Sequence, residues 1–153
     1  MPSSERVIRF YSVTDEHGEL SNFAEFPVQL DGKRWPTVEH YFQAQKKTTP
    51  AEQEAVRRAK TPEIAARIGR DRKQKLRRDW ESAKVDVMRR AVDAKFRQHD
   101  DLRALLLSTG DARLIEHTEN DSFWGDGGDG RGRNMRGRSL QDVRARLRAE
   151  PTS

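Results

Sequence analysis

The sequence predicts a mainly α-helical fold with a few short β-strands and an N-terminal hairpin. Three observations predict it: apolar residues recur at helical spacing from Val38 onward, helix-start signals repeat along the chain, and strand-like segments crowd into its first quarter. Val7 to Ser12 reads as a short strand. Pro27 to Leu30 and Lys33 to Trp35 read as a hairpin around Asp31-Gly32, because both central positions of the tight turn need positive φ.

Helices follow. Thr37 caps one running to about Lys47, and Thr49-Pro50-Ala51-Glu52 is a capping box with proline at the first helical position. Thr61-Pro62-Glu63 repeats that start, with Gly69 as its stop. The longest helix runs from about Asp79 to Gln98, with Trp80, Ala83, Val87, Met88, Ala91 and Ala94 on its apolar side. Asp100 caps a helix through Leu102, Leu105 and Leu106 that Gly110 closes. Arg113 to Thr118 reads as a short strand, and Ser139 starts a final helix through Leu140, Val143 and Leu147. The segment from Glu119 to Arg138, about twenty residues, is long for a connection and carries Asp121, Trp124 and a run of glycines. A tryptophan set among glycines favours an ordered binding loop over a disordered one.

At 153 residues the whole chain, 1–153, is expected to form a single domain. It has no cysteine, which excludes a disulfide framework, a zinc ribbon and a thiolate nucleophile and suits a reducing, cytoplasmic setting. Met1 to Glu5 lack a charged segment leading into an apolar one, and no apolar run approaches about 18 residues, so neither export nor membrane spanning is expected. The net charge of +5 favours anionic partners without naming them. The most basic stretch, Arg67 to Arg78, reads either as a nucleic-acid patch or as a solvated connection between helices, the second favoured since no aromatics interleave to stack bases. A phosphate contact from one of its arginines is compatible with that.

On the helix after Thr37, Val38, Tyr41, Phe42 and Gln45 share the core-facing side. Glu39, Gln43 and Lys46 line its border at i, i+4 and i+7, and His40 and Lys47 point the other way. A carboxylate, an amide and an ammonium beside aromatics are a site-like arrangement, because partial burial shifts both charged groups. A surface ion pair next to a satisfied glutamine fits the same spacing, and periodicity alone sides slightly with it. Lys84, on the edge of the long helix's apolar stripe, either snorkels to water or meets an anionic substrate.

Gly125, Gly127 and Gly130 satisfy a literal GxGxxG, but no βαβ unit surrounds them, which excludes a Rossmann phosphate site. Asp126 and Asp129 lack the ligand alternation of a calcium loop. The glycine backbone remains able to approach a phosphate or ribose closely. The four histidines, at 17, 40, 99 and 117, show no metal spacing, so metal-free carboxylate or lysine chemistry is expected, with no cofactor.

Three segments, Leu20-Ser21-Asn22-Phe23, Trp35-Pro36-Thr37 through Glu39-His40-Tyr41-Phe42-Gln43-Ala44-Gln45-Lys46, and Glu119-Asn120-Asp121 through Trp124-Gly125 and Asn134, strongly resemble the signature of the NADAR superfamily. Ala66-Arg67-Ile68-Gly69-Arg70, Asp79-Trp80-Glu81 and Lys84 to Met88 look like its YbiA-type members, in matching order over roughly 7–147. The resemblance implies a YbiA-like multihelical domain and hydrolysis of N-glycosidic bonds. It implies a small-molecule phosphorylated ribosyl substrate, the ribosylamino-pyrimidine intermediates of riboflavin synthesis, with ADP-ribosylated guanine in nucleic acid as the alternative. A non-catalytic binder of ADP-ribose or nucleotide is a third reading, which the presence of both Glu39 and Asp121 disfavours. No membrane and no obligate protein partner is implied.

Under the resemblance, Glu39, Lys46 and Asp121 are the expected catalytic groups. Glu39 stabilises an oxocarbenium-like ribose or directs water to it, Asp121 anchors hydroxyls or assists proton transfer, and Lys46 forms a Schiff base or contacts an anion. Ser21, Asn22, Phe23, Gln43, Gly125, Gly127 and Asn134 are expected around the substrate. Trp80 and Trp124 are expected to stack on the base, and Arg70 and Lys84 to hold phosphate.

Overall fold

The computed structural model describes residues 6–150; Met1 to Glu5, read above for the absence of a leader pattern, lie outside the described residues. Its contacts divide the chain into two compact units, Asn22–Lys95 and a second made of the described residues through Ser21 together with those from Phe96 onward. In chain order the elements are β1 (Val7–Phe10), a 3-10 turn (Gly18–Leu20), β2 (Val28–Leu30), β3 (Lys33–Trp35), α1 (Val38–Ala44), α2 (Pro50–Arg57), α3 (Pro62–Gly69), α4 (Trp80–Gln98), α5 (Asp100–Ser108), β4 (Arg113–Glu116) and α6 (Met135–Ala149). The fold is mainly helical, with a few short strands, as the sequence predicts.

In the Asn22–Lys95 unit, β2 and β3 pair antiparallel with Leu30 opposite Lys33. The turn between them places Asp31 at φ 55 and Gly32 at φ 76, the positive pair that Asp-Gly supplies. Asp31 does more than turn the chain. Its carboxylate accepts from the Tyr41 hydroxyl at 2.8 Å and pairs with Arg90, which ties the hairpin to α1 and α4. Trp35 stands edge-on to Tyr41 at 5.2 Å and donates its indole N–H to the Leu30 carbonyl.

Each of the three short helices begins as the sequence predicts. The hydroxyls of Thr37, Thr49 and Thr61 accept from the backbone N–H groups of His40, Glu52 and Ile64 at 3.1 to 3.2 Å, each contact worth about 1 kcal/mol. The border expected along α1 is absent, because all seven of its residues are buried. His40 and Lys47, expected to face away from the core, are 1% and 4% exposed. Helical periodicity resolves an apolar side only where the opposite side meets water, and α1 has no such side.

The helix also stops earlier than expected, at Ala44. The backbone then tightens through Lys46 N–H to Gln43 and Lys47 N–H to Ala44, after which Lys47 bridges to Leu76 and the Arg77 N–H donates to the Lys46 carbonyl. Gly69 ends α3, but it is absent from the positive-φ residues. Its role is one of room, taken up below.

In the second unit β1 and β4 pair in parallel, Val7 opposite Arg113 through Phe10 opposite Glu116. Asp100 is the first residue of α5 and His99 its cap, so the expected cap is displaced by one position; Asp100 and Asp101 both lie where the helix dipole favours negative charge. Helix α6 begins at Met135 rather than Ser139. Asn134 enters it in the left-handed conformation, and the Ser139 hydroxyl bonds the Met135 carbonyl inside the helix. Leu140, Val143 and Leu147 form its buried side. No helix among the described residues is long and apolar enough to cross a membrane.

His40 gives the first unit a pH dependence. Its Nε2 lies 2.9 Å from the Ala59 carbonyl, so Nε2 carries the proton and Nδ1 accepts from the Thr37 hydroxyl at 2.8 Å. Burial holds the imidazole pKa below its ordinary value, with the Ala59 carbonyl acting in the opposite direction. Below about pH 6.5 the unfolded chain therefore binds the proton more readily than the folded one, and stability falls as pH falls. Thermal unfolding at pH 7.5 and 5.5 should show a lower midpoint at pH 5.5, and a smaller difference between the two pH values in His40→Asn. An equal pH difference in both proteins would assign the dependence to other groups.

Candidate active site

The Asn22–Lys95 unit gathers the carboxylate, the amide and most of the basic groups read from the sequence. Glu39 is 5% exposed, and its Oε2 accepts from Gln43 Nε2 at 2.7 Å, one helical turn away. Its own backbone N–H, one of the unsatisfied donors of the first turn of α1, donates to the Asn22 carbonyl at 3.2 Å. Asn22 thus meets Glu39 through its backbone, while its side-chain amide points at the Met88 sulfur at 3.3 Å. Phe23 follows at intermediate exposure.

Lys46 sits in the tightened turn after α1. Its Nζ lies 5.6 Å from the Phe42 ring centre and 5.9 Å from that of Trp80, and the two rings are 5.1 Å apart. Trp80, read as a platform for a base, is 5% exposed and packs on Phe42 and Lys46. Burial is the main cause that holds the Lys46 ammonium below the ordinary lysine value; Glu39 pulls it upward, while Arg70, Lys47 and Lys84 push it further down. Those same influences put Arg70 and Lys84 in the electrostatic neighbourhood of Lys46. Lys84 is paired with Glu81 at 2.7 Å and Arg70 is exposed at the end of α3. One carboxylate with basic groups around it and aromatic walls suits an anionic ligand with a flat or apolar part.

The other unit holds Ser21, Asp121, Trp124, Gly125, Gly127 and Asn134. Asp121 Oδ1 accepts from the backbone N–H groups of Phe123 and Trp124 at 2.9 and 2.8 Å, which folds the chain over at Trp124. Trp124 is partly exposed and stands edge-on to Phe123 at 4.8 Å. At Gly125 a β-carbon would fall 2.6 Å from Thr118 Cγ2 and 2.8 Å from the Glu116 carbonyl, so the glycine marks packing against the end of β4. Gly127 takes φ 74.

Asn134 is committed to structure. Its Oδ1 accepts from the Glu116 N–H at 3.0 Å and its Nδ2 donates to the Leu114 carbonyl at 2.9 Å, so the side chain pairs with β4 as a neighbouring strand would. Ser21 is buried and caps the 3-10 turn by donating its N–H to Gly18.

Sequence reasoning missed the centre of this loop. Asp126 is buried, accepts from Thr118 N–H at 3.1 Å and Gly128 N–H at 2.9 Å through Oδ1, and meets His117 Nδ1 at 2.8 Å through Oδ2. Burial works against the carboxylate, but the bonds from His117, Gly128 and Thr118 outweigh it and hold its pKa below the ordinary value. The signal was available as an aspartate among glycines, but sequence spacing alone does not show that His117, nine positions earlier, is its partner. Among the described residues no group of three or more histidine or acidic side chains is placed to hold a metal ion.

The chain belongs to the NADAR domain family, whose pattern it matches over residues 9–148. It is 55% identical over 144 residues to N-glycosidase YbiA of Escherichia coli, covering 94% of this chain and 90% of that one. A riboflavin biosynthesis protein of Vibrio vulnificus is 46% identical over 143 residues, which are 94% of this chain and 39% of that longer protein. The NMR structure of the E. coli protein YbiA superimposes with a TM-score of 0.89 at 52% identity, over 97% of this chain and 90% of that one. In class the chain is an N-glycosidase, a hydrolase of glycosidic bonds to nitrogen.

Asp126→Asn keeps the size but replaces one acceptor oxygen by a donor facing His117. Leaving buried groups mispaired costs about 1–3 kcal/mol, so the midpoint of denaturant unfolding should drop measurably and the amides of Thr118 and Gly128 should exchange faster. Unchanged stability and exchange would show that the loop is held without this carboxylate.

Proposed function

We propose that this N-glycosidase hydrolyses the bond between ribose and the base nitrogen in phosphorylated ribosylamino-pyrimidine intermediates of riboflavin synthesis. The observation that carries the proposal is the Glu39 carboxylate, buried and oriented by Gln43, with Lys46 beside the Phe42 and Trp80 rings. The substrate choice is supported by the riboflavin biosynthesis protein that carries a matching region.

In this reading, departure of the base leaves positive charge on the anomeric carbon, which Glu39 stabilises or to which it directs a water, taking one of its protons. The water oxygen bonds to carbon, and the proton taken from water passes to the departing nitrogen, which leaves as an amine. Lys46 offers a covalent variant: its neutral amine displaces the base amine at the same carbon and passes it a proton, the resulting ribosylamine opens to an imine as its N–H proton moves to the ring oxygen, and water then releases the sugar and restores the lysine. A lowered ammonium pKa supports that role, since the attacking amine must be unprotonated and its fraction rises with pH. Arg70 and Lys84 hold the phosphate. In the other unit, Asp121 is suited to order a hydroxyl and Trp124, more exposed than Trp80, to stack on a flat ring. Within the Asn22–Lys95 unit, Asn22, Phe23 and Gln43 frame the ligand, by side chain or by the backbone they hold.

The exposed basic residues Arg72, Lys73, Lys75 and Arg78 favour a second reading, an ADP-ribosyl hydrolase acting on guanine in nucleic acid. A non-catalytic nucleotide binder would release no base from either substrate. Parallel assays on the phosphorylated pyrimidine intermediates and on an ADP-ribosylated guanine oligonucleotide, with products identified by mass, should give free pyrimidine amine and leave the oligonucleotide intact; the reverse pattern would establish the second reading.

Glu39→Gln should keep the unfolding midpoint near that of the parent and lower kcat by about 10²–10⁴-fold, the range for a lost acid-base group. Turnover at the parent rate would remove Glu39 from the chemistry. Borohydride reduction during turnover should fix a sugar adduct on Lys46, located by peptide mass; an adduct-free Lys46 under conditions of full turnover rejects the covalent variant.

A further inference from the structure

We infer that Gly69 is a positioning residue for the reaction, because its missing side chain is what allows Gln43 to hold Glu39. A β-carbon built at Gly69 would lie 2.1 Å from Gln43 Oε1, 2.6 Å from Gln43 Cβ and 2.7 Å from Gln43 Cδ. The amide oxygen sits at the end of a side chain that can rotate, but the β-carbon of Gln43 is fixed to the backbone of a buried helix. Any side chain at position 69 therefore pushes α3 away from α1, turns the Gln43 amide, or does both. Positive φ is not the reason for this glycine, since it is absent from the left-handed residues.

The amide has a defined task. Gln43 is 3% exposed, its Nε2 donates to Glu39 Oε2 at 2.7 Å, and its Oε1 is buried without a hydrogen-bond partner. The acceptor is thus held against Gly69 by packing rather than by a hydrogen bond of its own, and the amide is oriented from one side only. A glutamine left to itself would turn toward a partner for that oxygen, because a buried unsatisfied acceptor costs free energy. Close approach at Gly69 removes the room to do so.

The inference rests on Glu39 being the reacting carboxylate. The experiment compares Gly69→Ala, Gln43→Ala, the double variant and Glu39→Gln, with kcat and KM measured on a ribosylamino-pyrimidine phosphate and on the ADP-ribosylated guanine oligonucleotide. Gly69→Ala should lower kcat by about tenfold or more and change KM by less than about threefold, since what is lost is orientation rather than binding. In the Gln43→Ala background the same substitution should change kcat by less than about twofold: alanine at 43 keeps the β-carbon contact, and thus the displacement of α3, but leaves no amide to misplace. A structural role alone would lower both backgrounds equally.

A readout independent of turnover completes the test. Exchange of the Gln43 side-chain amide protons, followed by NMR, should be about tenfold faster or more in Gly69→Ala than in the parent, because the buried bond to Glu39 is what slows it. Parent-like kcat in Gly69→Ala, equal losses in both backgrounds, or unchanged exchange would each overturn the inference. If Glu39→Gln retains full activity while exchange accelerates in Gly69→Ala, the packing argument stands and the assignment of Glu39 fails.

Discussion

A short helix buried on every side has no solvent to satisfy its polar side chains, and this constraint organises the Asn22–Lys95 unit. Helix α1 places Glu39, His40 and Gln43 in the interior. Each polar group must then find a partner inside the protein or remain unsatisfied. His40 is met by Thr37 and Ala59, Tyr41 by Asp31, and Glu39 by Gln43. These contacts join the hairpin to α1, and the Asp31 to Arg90 pair extends them to α4. The carboxylate that makes the unit chemically interesting is one member of this set, and its burial follows from where the helix lies.

The two charged members of the stripe meet that constraint in different ways. Glu39 is fixed by a hydrogen bond within the helix, which orients the oxygen but adds no charge. Lys46 lies beyond the helix end, where its ammonium sits near the Phe42 and Trp80 rings and is influenced by one acid and three bases. An arrangement of this kind separates geometry from acidity: the amide sets direction, while the rings and the neighbouring cations set the ease of proton loss. Neither effect needs a metal ion.

Much of the fold was legible in the sequence because its punctuation is local. Asp31-Gly32 and the three threonine caps involve residues at most a few positions apart, and all of them form as written. What could not be read depends on residues distant in sequence. Ser139 has the look of a cap, but the actual start of α6 is set by Asn134, whose amide engages β4 some eighteen residues earlier. His40 and Lys47 were assigned to a solvated side that does not exist, since periodicity cannot tell how many neighbours a helix has. In the candidate site the Glu39, Gln43 and Lys46 stripe was visible as spacing, whereas Gly69 and the His117 to Asp126 pair were not, because their meaning lies in what each faces.

The segment between β4 and α6 looks like a long loop in sequence, but its backbone is bound at many points: to Asp121, to Asp126, and to the Glu116 carbonyl through the Asp126 N–H. Ordering a backbone residue costs about 1–2 kcal/mol in entropy, and for this segment that loss is borne when the protein folds. The surface at Trp124 is therefore complete in the folded loop, with no backbone ordering left for a later step.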